Sequence, residues 1–245
     1  MRVFLIGGGR DAKVAHWRFG SAAAGGRVTA FVLDEGEQTD LQRWVDTLGA
    51  AGVADVRVVV VSPARPPRVE DLAGVAGVYV AGGLTPGYQA VLVGAGTGWL
   101  ERARADGLVY GGFSAGAAIA PVHALVGGWR TRFRGRLLEV CAEECGEDLD
   151  EVTVRPGLGL VPFVVDVHGA QWGTLNRLVH GLVAADLAEG WAIDEGTALE
   201  VDANTVRVHG TGAATRVIRH GTEISLTVHV DGDHMPVPGV RGSGC

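Results

Sequence analysis

Residues 108–120 read Leu-Val-Tyr-Gly-Gly-Phe-Ser-Ala-Gly-Ala-Ala-Ile-Ala, and the fold is decided by how this stretch is read. Leu108, Val109 and Tyr110 form a short apolar run suited to a buried strand. Gly111 and Gly112 turn the chain, Ser114 follows, and small helix-compatible residues continue to Ala120. The centre, Gly112-Phe113-Ser114-Ala115-Gly116, is a G-x-S-x-G pattern. A serine at a sharp strand-to-helix turn sits in strained backbone with no room for bulk two residues to either side, so glycines flank it. The turn lifts the hydroxyl out of the sheet. The helix behind it offers free N–H groups and the positive end of a dipole, and the Ala115 N–H becomes an oxyanion donor. The pattern points to Ser114 as a nucleophile; an ordinary glycine-rich connection is the plainer alternative.

The residues before this stretch alternate strand and helix. Val3–Ile6, Val28–Leu33, Val56–Val61 and Val78–Ala81 are apolar runs. Helices are predicted over Ala12–Ala23, over Asp40–Leu48, where Leu41, Trp44, Val45 and Leu48 share a face, and over part of Tyr88–Ala105. Continuous apolar strands suit a parallel sheet covered on both faces, and the alternation predicts an α/β, doubly wound, mostly parallel sheet. Gly7-Gly8-Gly9 has neither the spacing of a dinucleotide loop nor a phosphate-binding lysine, so it reads as a tight turn beside the site. Gly82-Gly83 ends the fourth strand, where open α/β sheets place ligands. The Gly83 N–H is the expected second oxyanion donor.

Beyond Ala120 the signal changes. Residues His123 to Asp150 read as irregular, with an arginine patch followed by an acidic one, and Cys141 and Cys145 four apart as on one helix face. A short strand, Phe163–Val167, leads into His168. A helix is predicted over Gln171–Leu187, with Arg177 on its polar side, then a strand over Trp191–Asp194 ending at Glu195. Leu199 to Val230 alternates apolar and polar, which predicts a small C-terminal antiparallel β extension. The expected organisation is one domain over 1–245: a core over 1–200 with the site, the extension over 201–234 and a frayed tail over 235–245.

A serine hydroxyl needs a base in reach, and the base needs an orienting acid. Of eight histidines, His168 fits best, because it ends a strand ahead of an amphipathic helix. Glu195 is the leading acid, with Asp194 and Asp166 as rivals. The chain order Ser114, His168, Glu195 differs from the Ser, acid, His order of α/β-hydrolases and disfavours that fold. The bulk numbers exclude other classes. Net charge is −7 without a basic run, so nucleic acid and anionic membrane are not expected partners. No stretch is long enough to span a bilayer, and the Val3–Ile6 run is too short for a signal-peptide core. Three cysteines do not make a disulfide framework, so a cytoplasmic location is expected. His229, Asp231, Asp233 and His234 are metal-ligand types, but a strand end with a turn explains them, and no metal is expected.

Four blocks, LIGGG (5–9), AGG (81–83), GFSAGA (112–117) and GLGLVPFVVDVH (157–168) followed by WAIDEGTAL (191–199), resemble the peptidase E and cyanophycinase group of serine peptidases. The resemblance implies a flavodoxin-like sheet related to class I glutamine amidotransferases, with serine replacing their cysteine. It implies Ser114 as nucleophile, His168 as base, Glu195 as orienting acid, and no metal or organic cofactor. It also implies a small peptide or amide substrate with an aspartyl or β-aspartyl acyl side. Substrate binding is then assigned to Asp166, to Thr85, which stands where the family often has glutamine, and to Arg177. Arg177 is the expected carboxylate receptor, being the only arginine in the helix after His168. The polymer-cleaving members carry DQHF and several arginines, whereas this chain has Val167, Gly169 and Trp172 in that region. An esterase or acyltransferase using the same triad, or a non-catalytic binding protein, are the alternative functions, and a homodimer is compatible with either.

Overall fold

The structure is a computed structural model, and it describes residues 1–36, 39–93 and 98–238. The first half builds the predicted alternation. Strands β1 (Val3–Ile6), β2 (Arg27–Leu33), β3 (Asp55–Val61), β4 (Gly77–Val80) and β5 (Val109–Phe113) all run parallel. Helices α1 (Lys13–Ala22) and α2 (Leu41–Ala50) follow β1 and β2. α2 starts at Asp40, whose carboxylate accepts from the Arg43 N–H, and buries Trp44 and Leu48. The helix predicted within Tyr88–Ala105 is two, α3 (Thr85–Leu92) and α4 (Trp99–Ala105); residues 94–97 between them lie outside the described set. β1 is central and fully buried, as its unbroken apolar sequence requires.

After Ser114 comes one helical turn, α5 (Ala115–Ala118). The segment read as irregular holds three short strands, β6 (His123–Gly127), β7 (Arg130–Phe133) and β8 (Arg136–Glu139); β6 pairs with β9 (Thr153–Pro156), just beyond it, and β7 with β8. Cys141 and Cys145 share no helix; Cys145 ends a short 3-10 turn.

β10 (Val164–Val167), α6 (Leu175–Ala184) and β11 (Glu189–Ile193) follow. The helix starts four residues later than predicted, because residues 168–174 form a tight turn. β10 and β11 are parallel neighbours, but in a second sheet, ordered β10-β11-β14-β15 with β14 (Ala214–His220) and β15 (Glu223–His229). The large sheet is ordered β16 (His234–Pro236), β13 (Thr205–Gly210), β12 (Thr197–Val201), then β1-β5-β4-β2-β3. It is extended beyond β1 by antiparallel β12, β13 and β16. The predicted β extension is thus divided between two sheets. The tail does not fray from Met235, which pairs with Val206, and Val237 is buried; residues 239–245, with Cys245, lie outside the described set. No helix among the described residues is long and apolar enough to cross a membrane.

The two sheets meet at the Gly7-Gly8-Gly9 turn. Gly7 donates to the Thr197 carbonyl, His168 donates to the Gly7 carbonyl at 3.0 Å, and Gly196 donates to the Gly8 carbonyl at 3.0 Å. The ends of β1, β5, β10 and β11 are therefore tied together where the chemistry-bearing residues lie.

Candidate active site

Ser114 follows β5 directly with φ 51° and ψ −111°, a left-handed backbone that a non-glycine residue adopts only under constraint. The constraint is packing. A Cβ on Gly112 would lie 2.4 Å from the Gly116 carbonyl oxygen, and one on Gly116 would lie 2.3 Å from that of Val80. Both flanking positions must be glycine for the strand to turn into α5 this tightly. The Ser114 N–H donates to the Ile6 carbonyl at 2.9 Å, and its carbonyl accepts from Ala117 and Ala118. Beneath it, Phe113 stacks on the buried His16 ring (5.5 Å, 19°) and meets Trp44 edge-on.

His168 leaves β10 with φ 56°, a second constrained non-glycine position. Its Nε2 lies 2.8 Å from Ser114 Oγ, and its Nδ1 lies 2.7 Å from Glu195 Oε1. Glu195 sits just past β11, the parallel neighbour of β10, which places both side chains at the same strand ends. The glycine turn makes room for them: a Cβ on Gly8 would lie 2.1 Å from His168 Cε1, and one on Gly9 would lie 2.7 Å from Glu195 Cβ. Burial pushes the His168 imidazole below its ordinary value, with the hydrogen bond to Glu195 pulling the other way. The ring is therefore neutral near pH 7 and able to accept a proton.

The other acid candidates are occupied elsewhere. Asp194 accepts from the Ala170 and Ala213 N–H groups. Asp166 is 1% exposed and held by Arg177 through Nε (2.9 Å) and Nη2 (2.7 Å). This corrects two sequence expectations at once. Arg177 is itself 3% exposed, and its Nη1 donates to the Cys145 carbonyl, so both groups are committed inside the protein and neither lines the cleft. The late start places Arg177 in the first turn of α6, on the buried side with Leu178 and Leu182, where it meets Asp166 on β10. Thr85 is also buried, with its N–H and hydroxyl both donating to Glu147 at 3.0 Å, so it does not present itself to substrate either.

Ser114, His168 and Glu195 open onto a cleft of about 1650 Å³. Gly82 and Gly83 form part of its wall, and a Cβ on Gly82 would lie 3.3 Å from Ser114 Cβ. Among the described residues, the N–H groups of Gly83 and Ala115 donate to no protein acceptor. The next two N–H groups are taken by carboxylates: Leu84 donates to Glu35 (2.7 Å) and Thr85 to Glu147. Burial raises the Glu147 carboxyl above its ordinary value, against the lowering effect of the Thr85 hydrogen bonds. The cleft wall carries Asp11, Asp34, Glu35, Glu143, Glu144 and Glu147 among its acids, with Arg10 and Arg43 as its cations.

The fold is that of a solved peptidase. The crystal structure of a peptidase from an acI-B1 Actinobacterium superposes with a TM-score of 0.62 at 15% identity, covering 96% of each chain. The crystal structure of a "Putative Peptidase E Protein" from Listeria monocytogenes EGD-e matches with a TM-score of 0.49 at 17% identity, covering 92% of this chain and 97% of that one. No family model matches the sequence, and no curated protein matches it.

Two site residues escaped the sequence. Glu147 belongs to the acidic patch that follows the arginines, and nothing in its spacing points at Thr85. Trp172 falls within the helix predicted over Gln171–Leu187, whereas α6 starts three residues after it. It is 40% exposed, with its indole lying flat on the His168 imidazole at 3.8 Å between centroids and 9° between planes.

Proposed function

We propose that the protein is a cytoplasmic serine hydrolase of the peptidase E type that cleaves a small peptide or amide bond. The reading rests above all on the unbroken line from Ser114 Oγ through the His168 ring to Glu195 Oε1 at the wall of an open cleft. Ser114 Oγ attacks the scissile carbonyl carbon while its proton passes to His168 Nε2. The carbonyl electron pair moves onto oxygen, held by the N–H groups of Gly83 and Ala115. Collapse expels the amine, which takes the proton from the imidazolium and leaves an acyl group on Ser114. Water then attacks that ester, gives its proton to His168, and releases the acid as Ser114 recovers its hydrogen. Glu195 accepts from Nδ1, fixes the tautomer and stabilises the imidazolium. The steps balance without a metal or organic cofactor.

The aspartyl acyl side implied by the family resemblance requires a cation in the cleft. With Arg177 committed to Asp166, that role falls to Arg10 and Arg43, both exposed on the wall. A fluorophosphonate probe tests the mechanism. Wild-type protein is labelled on Ser114, and Ser114→Ala and His168→Ala each lose about 10³-fold or more in rate, with a smaller loss in Glu195→Gln. Labelling that survives Ser114→Ala rejects the assignment. A panel of Asp-X and β-Asp-X dipeptides, neutral amides and simple esters then separates peptidase from esterase. Hydrolysis of none of them, without labelling, supports the non-catalytic reading instead.

A further inference from the structure

Trp172 is oddly placed for an aromatic residue. One face of its indole is open to the cleft, and the other lies on the imidazole of His168 and not in the core. The turn that carries it is pinned from end to end. His168 donates to the Gly7 carbonyl, Gly169 to that of Ile193 and Trp172 to that of His168 at 2.8 Å. Ala170 donates to Asp194, the Gln171 side chain accepts from the Glu195 N–H, and the Thr174 hydroxyl donates to the Val167 carbonyl. The bond from Trp172 N–H back to the His168 carbonyl closes one turn and brings the indole over the ring four residues earlier. Cys145 Sγ donates to the Trp172 carbonyl from the far side.

His168 needs such support. Its backbone lies in the left-handed region, outside any helix or strand. Its ring is held at both nitrogens and at Cβ, but hydrogen bonds bend easily, so small changes in χ1 and χ2 can tilt it out of the plane that joins Ser114 to Glu195. Gly8 closes in on the Cε1 edge. The indole lies flat against one face of the ring and opposes tilt towards that side.

We propose that Trp172 is the positioning residue of the catalytic base, holding the His168 imidazole in the plane that joins Ser114 Oγ to Glu195. The inference rests on the serine hydrolase reading for its kinetic consequence and on the stack alone for its spectroscopic one. An imidazole that rolls out of plane transfers the serine proton less well, so loss of the indole slows the bond-forming step and leaves ligand affinity alone.

The test uses the full-length protein and a fluorophosphonate probe of known concentration dependence. Trp172→Leu keeps an apolar side chain but removes the flat surface; its maximal phosphonylation rate falls by roughly tenfold, about 1.4 kcal/mol, with half-saturation unchanged. Trp172→Phe restores a flat ring and recovers most of that rate. Equal rates in wild type and Trp172→Leu, or a loss that appears only in half-saturation, overturn the proposal. So does a Phe variant as slow as the Leu variant with the same melting temperature.

Fluorescence gives an answer independent of activity. Excited indole in van der Waals contact with an imidazolium is quenched, so the emission difference between wild type and Trp172→Phe decreases as His168 is protonated. Glu195, Asp166 and Arg177 are the charged groups that act on this ring, and their variants shift the midpoint without abolishing the change. His168→Gln abolishes it. A wild-type protein that the probe fails to label sinks the proposed function while leaving this titration intact. A pH-independent difference emission, or one unaffected by His168→Gln, sinks the stack.

Discussion

Replacing Arg177 by alanine separates two accounts of this residue. In the structure its guanidinium holds Asp166 bidentately and donates a third bond to the Cys145 carbonyl, with both partners almost fully buried. Removing the cation leaves a buried, unpaired carboxylate on β10, two residues before His168. Breaking a buried pair from one side costs about 3–5 kcal/mol. In a chain of this size each kcal/mol moves the melting temperature by about 2–4 °C, so Arg177→Ala melts roughly 6–20 °C below wild type. Asp166→Asn, which strands the guanidinium, falls in the same range. A double variant, Asp166→Leu with Arg177→Met, removes both charges and recovers most of the loss, because neither is left unpaired. Differential scanning fluorimetry reads all four proteins, and fluorophosphonate labelling well below the lowest midpoint reads the site. The reasoning is refuted if Arg177→Ala melts with wild type while KM rises for acidic substrates alone. That result would mean Arg177 faces the cleft in solution and receives a substrate carboxylate.

Three further outcomes follow from the geometry. Gly8→Ala places a methyl group against His168 Cε1 at a backbone φ of 110°, so labelling of Ser114 falls by about 10²-fold or more; near-wild-type labelling would show that the imidazole tolerates displacement. Because burial lowers His168, the labelling rate falls on acidification with its midpoint below the ordinary imidazole value of about 6.5, and a midpoint at or above pH 7 contradicts this. Burial also lowers His16 to about 4, whereas the unfolded chain takes that proton near 6.5. The unfolded state then binds more protons between those values, so the His16 contribution is complete above about 6.5 and is lost as pH falls towards about 4. Between pH 7.5 and 4.5 it amounts to roughly 2–3 kcal/mol. Urea denaturation at both pH values measures it, and an equal loss in His16→Gln would assign the effect to other groups.

The sequence determined whatever depends on neighbours along the chain. The apolar runs around Leu5, Phe31 and Val80 could only be buried parallel strands, and the glycines at 112 and 116 announced a turn too tight for any side chain. Ser114 was legible because its strain is local and leaves a fixed spacing. His168 and Glu195 were legible because each follows the end of a short strand. What the tertiary structure decided is whatever depends on distant segments meeting. No periodicity assigns β10 and β11 to a second sheet, because parallel strands have the same alternation in either sheet. Arg177 reads as a carboxylate receptor about two turns into a helix begun near Gln171, whereas it stands in the first turn of a helix that begins at Leu175. The turn over residues 168–174 brings that first helical turn beside β10, and a buried ion pair leaves no mark in the sequence beyond two ordinary charges. Trp172 and Glu147 were illegible for the same reason. An indole four residues after a histidine, or a glutamate in an acidic run, becomes part of a site only when a turn folds back on itself or a loop reaches the start of a helix some sixty residues away.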